Sequence, residues 1–75
     1  MRLKDAKMHS IVRVRKILAN GELRRRFLDL GIIEGTDIEV LFKSALGDPI
    51  AYLISGAIIA LREEEGDKIQ VISNN

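Results

Sequence analysis

Seventy-five residues, 12 Lys/Arg against 11 Asp/Glu and no cysteine leave room for one small domain, residues 1–75, with no disulfide staple and no thiolate metal site. Ile, Leu, Val and Phe supply 26 of the 75 residues, enough apolar surface for the chain to fold by packing alone. The net charge of +1 hides an asymmetry: residues 1–26 carry 9 basic and 2 acidic side chains and residues 27–75 carry 3 and 9, so a two-signed surface is expected.

Met1 to Lys7 is charged throughout and lacks the apolar stretch of about 7–15 residues found in signal peptides. The longest apolar run, Ala57 to Leu61, falls far short of the roughly 20 residues of a membrane-crossing helix. A cytoplasmic protein with no direct membrane insertion is expected. In Ser10 to Ile17, Val12 and Val14 alternate with Arg13 and Arg15, which predicts a first strand with one face in the core. Asn20-Gly21 breaks that pattern. From Glu22, Leu23, Phe27 and Leu30 fall on a single stripe and predict a short helix over about 22–30. Gly31 ends it, with Ile32 placed to touch Phe27 in a Schellman ending.

Glu34-Gly35 suits the centre of a type II turn. Asp37 to Lys43 then alternates as a second strand, with Ile38, Val40 and Phe42 on the core face and Phe42→Ala expected to cost about 3–5 kcal/mol. Ser44 to Pro49 reads as a loop. Ile50–Ser55 and Ala57–Arg62 flank a tight turn at Ser55-Gly56, which pairs Ile54 with Ala57, Tyr52 with Ile59 and Ile50 with Leu61 on the inner face. The outer face then pairs Leu53 with Ile58 and Ala51 with Ala60. Two adjacent apolar side chains, Leu53 and Ile58, facing water favour a self-association contact there. Glu63 to Asp67 reads as a polar turn and Lys68 to Ile72 as a last strand. Five short strands and one helix cannot make a sandwich, so a small, partly open, mainly β barrel of SH3-like type is predicted. Its expected core joins Ile38, Val40, Phe42, Ile50, Tyr52, Ile54, Ile59, Leu61, Ile69 and Val71 to Leu23, Phe27 and Leu30.

Catalysis needs converging acid, base or metal groups, and one histidine with no cysteine does not supply them. His9 is expected as a partly exposed turn residue, Glu63 to Glu65 as a solvated acidic turn, and no metal ligand, catalytic residue or cofactor site is assigned. Arg24, Arg25 and Arg26 fan across the helix surface, with Arg25 able to pair with Asp29. Supported by Arg13, Arg15 and Lys16, they would form a phosphate-binding face, although no aromatic is free to stack on single strands. Leu28 lies near 140° from the centre of the apolar stripe, between Arg24 and Arg25, and should project from the basic face. An apolar anchor inside a charged rim is a protein-docking pattern, so Arg24, Arg25 and Leu28 are the candidate partner-binding residues.

The run Gly21-Glu22-Leu23-Arg24-Arg25-Arg26-Phe27-Leu28-Asp29-Leu30-Gly31-Ile32, followed by Gly35-Thr36, Leu46-Gly47-Asp48-Pro49-Ile50, Gly56 and Ala60 to Glu65, resembles the ferrous iron transport protein A (FeoA) family. It covers about residues 4–72. The resemblance implies an SH3-like barrel and a non-enzymatic cytoplasmic role beside the large ferrous iron membrane transporter, whose cytoplasmic GTP-binding portion is the expected partner. Glu34 stands where the family commonly has proline, and Leu53 and Ile58 where many relatives carry polar residues. Two alternatives from other classes stay open: a small basic-faced nucleic-acid-binding barrel, and a weak transition-metal-binding module, for which the chain has few soft or imidazole ligands.

Overall fold

The computed structural model describes residues 1–74. A 3-10 turn (Leu3–Asp5) leads into β1 (Ile11–Ile17), α1 (Gly21–Asp29), β2 (Asp37–Lys43), β3 (Ile50–Ile54), β4 (Ala57–Leu61), a short helix α2 (Glu63–Gly66) and β5 (Ile69–Ser73). The five strands form one antiparallel sheet in the order β4-β3-β2-β1-β5, with one helix between β1 and β2, and the sheet does not close. Its inner face holds the core, where Val12, Val14, Ile38, Val40, Tyr52, Ile54, Leu61, Ile69 and Val71 are all buried. Phe27 and Ile32 complete it from the helix and its exit. Leu23, Leu30 and Ile59 are half-buried and pack against its margin.

The hairpin forms with the expected register, Ile54 opposite Ala57, Tyr52 opposite Ile59 and Ile50 opposite Leu61. Both turn residues have positive φ, 50° at Ser55 and 83° at Gly56, which is the type I′ geometry whose twist matches the flanking strands. The second strand departs from its simple alternation. Val40 lies opposite Tyr52, but Phe42 lies opposite Ala51, so a bulge at Leu41 rephases the strand. Phe42, expected in the core, is therefore turned to the outer face and is 57% exposed. The apolar pattern of Ile38, Val40 and Phe42 continues in the sequence, but the backbone does not follow it.

The first ten residues do more than the sequence reading assigned to them. Leu3 is fully buried, and the Val71 N–H donates to the Met1 carbonyl at 2.8 Å. Arg2 bridges to Gln70, so the N-terminal segment lies along the β5 side of the sheet. Its other neighbour is α2, in a stretch expected as a polar turn. That helix is capped by two carboxylates, Asp48 accepting from the Glu63 N–H and Glu65 from the Arg62 N–H, both at 2.8 Å. Gly66 lets it sit close: an added Cβ would stand 3.2 Å from the Lys4 backbone nitrogen. His9 is exposed in a left-handed turn (φ 68°), and its N–H donates to the Val40 carbonyl.

The corrected core makes two predictions. Phe27→Ala should lower the unfolding free energy by about 3–5 kcal/mol, whereas Phe42→Ala should cost less than about 1 kcal/mol, as measured by denaturant titration. The second concerns Tyr52, the one tyrosine of the chain, whose phenol burial pushes up to about 12, helped by the Asp48 and Asp5 carboxylates. Below pH 10 both folded and unfolded chains keep the proton. Between pH 10 and about 12 the unfolded chain releases it first, so stability falls across that window by an amount approaching about 3 kcal/mol. Absorbance titration of the phenolate should show the native midpoint near 12, and Tyr52→Phe should remove this part of the alkaline loss.

Candidate functional site

The amphipathic stripe of α1 places Phe27 in the core and turns Leu28 to the other side, where it is 49% exposed. The helix exit then decides what stands next to it. The Ile32 N–H donates to the Phe27 carbonyl (2.8 Å) and the Gly31 N–H to the Leu28 carbonyl (3.0 Å), the two bonds of a Schellman motif, with Gly31 at φ 82°. This reversal sends Ile32 into the core and leaves its neighbour Ile33 outside, also 49% exposed. Thr36 fixes the following turn, its N–H donating to the Ile33 carbonyl and its hydroxyl to the Gly31 carbonyl, both at 3.0 Å.

Between α1, the end of β1 and this exit lies a cleft of about 340 Å³. Leu28, Ile33 and Ile17 give it apolar walls over buried Ile32, and Lys16, Arg24 and Glu34 stand among them. Among the described residues none of these three charged side chains forms an ion pair. The other arginines differ. Arg25 pairs with Asp29 one turn on at 3.8 Å, on a well-exposed surface where such a pair contributes little. Arg26 reaches across to Glu65 on α2, and Arg13 bonds Asp37 at 3.0 Å. The structure therefore brings Arg24 and Leu28 into one cleft and holds Arg25 outside it, on the adjoining helix surface. Sequence reading placed Leu28 on the exposed side but missed its company. Ile33 follows Gly31 as the second of two isoleucines, a signal that one of the pair must face out.

Two acidic residues at α2 are engaged by the N-terminal segment. Lys4 lies 3.7 Å from Glu63 and 3.8 Å from Asp67, and Arg2 lies 3.6 Å from Asp67. Among the described residues no three His, Asp or Glu side chains are grouped so as to hold a metal ion. None of the helices among them is long and apolar enough to cross a membrane.

With this geometry in hand, comparison with known proteins is informative. The model of the FeoA domain matches residues 1–73. The chain belongs to the FeoA family. It is 32% identical over its whole length to the Fe(2+) transport protein A/Fe(2+) transporter FeoB fusion protein of Porphyromonas gingivalis, of which it spans 9%. The solution structure of FeoA from Chlorobium tepidum superposes with a TM-score of 0.90 at 33% identity, over 97% of this chain and 70% of that one. The zinc complex of FeoA from Stenotrophomonas maltophilia, described as an SH3 domain protein, superposes with a TM-score of 0.84 at 25% identity, over 96% and 89%. The open five-stranded sheet is thus of the SH3-like type, and the family is associated with ferrous iron transport.

The cleft depends on the left-handed residue that ends α1. A valine at Gly31 would be strained by about 1–2 kcal/mol or more at this φ, and its Cβ would stand 3.3 Å from the Ser55 hydroxyl. Gly31→Val should lower the melting temperature and broaden the amide resonances of Leu28 and Ile33 together.

Proposed function

We propose that this chain is a non-enzymatic cytoplasmic accessory protein of ferrous iron uptake, which docks on the GTP-binding portion of a ferrous iron membrane transporter and modulates it. The observation that carries this reading is the pairing of Leu28 with Ile33 across one cleft. Two aliphatic side chains, each half in water, are set beside the cations of Lys16 and Arg24, neither of which forms an ion pair among the described residues. Apolar anchors within a charged rim are what protein interfaces use. Arg25 flanks the same helix surface and adds to the rim. The fused relative supports the choice of partner, because there a segment similar to this chain and a transporter are parts of one polypeptide. A nucleic-acid face is the weaker reading, since Arg13 and Arg26 already hold carboxylates, Phe27 and Tyr52 are buried, and Phe42, the aromatic that is exposed contrary to expectation, lies at the far end of β2 from Arg13.

The test is binding to the transporter's isolated GTP-binding domain. Leu28→Ala should weaken the complex by about 1 kcal/mol or more, mainly by faster dissociation, and leave the melting temperature nearly unchanged. Charge reversal at Arg24 or Arg25 should mainly slow association and flatten its salt dependence. Wild-type binding by Leu28→Ala would show that the cleft is not the docking surface. Salt-sensitive binding to nucleic acid alone would move the function to the basic face.

A further inference from the structure

We infer that the free edge of β4 pairs with the same edge of a second copy of this chain. The edge bears Ala57-Ile58-Ile59-Ala60-Leu61, without a charge, a proline or a bulge to protect it. Natural edges are ordinarily blunted by such devices. On the opposite side of the sheet β5 is covered by the N-terminal segment, but among the described residues β4 pairs only with β3.

The phase of the hairpin fixes which backbone groups are free. A two-residue type I′ turn closes with a hydrogen-bonded pair, here Ile54 and Ala57, and alternate pairs after it are bonded in the same way. Ala57, Ile59 and Leu61 thus direct their N–H and C=O groups to β3, and Ile58 and Ala60 direct theirs outward. A two-fold axis through Ile59 places Ile58 of one copy opposite Ala60 of the other, and the reverse. All four outward residues then exchange N–H···O bonds, four in total, with nothing left over. The side chains agree with that register. Ile58, 66% exposed, falls beside a small alanine, and the outer-face row Phe42, Ala51, Ala60 of one copy runs on into Ile58 and Leu53 of the next. The uncharged strand offers nothing to a strongly acidic or basic partner, and two copies with a net charge of +1 meet without strong repulsion. A second copy is therefore the matching occupant. Pairing along one short edge buries less than a standard interface, so the dimer is a weak and exchanging one. It uses neither Leu28 nor Arg24, so it stands or falls apart from docking on a transporter.

Sedimentation equilibrium should show the apparent mass rising toward twice 8.4 kDa between about 10 µM and about 1 mM, the range suited to interfaces below standard size. Over the same range, hydrogen exchange should slow at the Ile58 and Ala60 amides. Ile58→Lys, at an exposed position, should weaken the dimer at least tenfold without shifting the melting temperature. Ala60→Pro should act alike, because β3 does not use that N–H. If either variant fails to fold, the wild-type amide exchange decides alone. A wild-type monomer at about 1 mM would overturn the proposal. So would a dimer in which those two amides still exchange fast, which would indicate stacking on Phe42 and Leu53. Amide protection that appears only when a transporter domain is added would assign the edge to that partner and overturn it equally.

Discussion

The five-stranded sheet does not close on itself, and the organisation of this chain follows from how its two edges are handled. The β5 edge is covered by the chain's own first residues, with Leu3 fully buried and the Met1 carbonyl bonded to the Val71 N–H. That cover needs α2 close behind it, which Gly66 permits and the Asp48 and Glu65 carboxylates hold in place. Among the described residues nothing comparable covers β4. The open sheet also leaves a role for α1, since Phe27 and Ile32 seal a core that contains no buried polar or charged residue among those described.

The cleft on α1 is a product of a chain reversal. A helix that continued past Leu30 without the Schellman bonds would place Ile32 one turn after Leu28 on the exposed face and take it out of the core. With the reversal in place, one isoleucine is spent on the core and the other returns to the surface beside Leu28. Arginine placement follows the same economy of position. Arg26 ties α1 to α2 through Glu65, and Arg25 lies beside Asp29 outside the cleft, so the cation this helix gives to the cleft mouth is Arg24.

Much of this was legible in the residues. The alternation of Val12 and Val14 with Arg13 and Arg15, the hairpin around Ser55-Gly56 and the glycine stop at Gly31 are local signals, and each element formed where they pointed. What escaped was non-local. Phe42 follows a regular alternation, and no glycine or proline marks the bulge that turns it outward. Leu3 sits among Arg2, Lys4 and Asp5, where a single apolar residue reads as part of a charged tail until β5 and α2 are brought beside it. The Glu63–Gly66 segment has no apolar stripe, and its helix depends on Asp48, a cap fifteen residues away in sequence. The site divides in the same way. Leu28 is exposed by its own helix wheel, while Lys16 and Ile33 reach it from different segments.

The sheet order has a consequence for the order of folding. β1 lies between β2 and β5, so its second flanking strand is the last of the five in sequence. β2, β3 and β4 are joined by contacts close in sequence and can assemble early, whereas the core is complete only when β5 returns across the whole domain to β1 and, with the short helix, buries Leu3. In that interval the apolar β4 edge stands on a partly formed sheet, and this is the state in which the chain is most prone to aggregate.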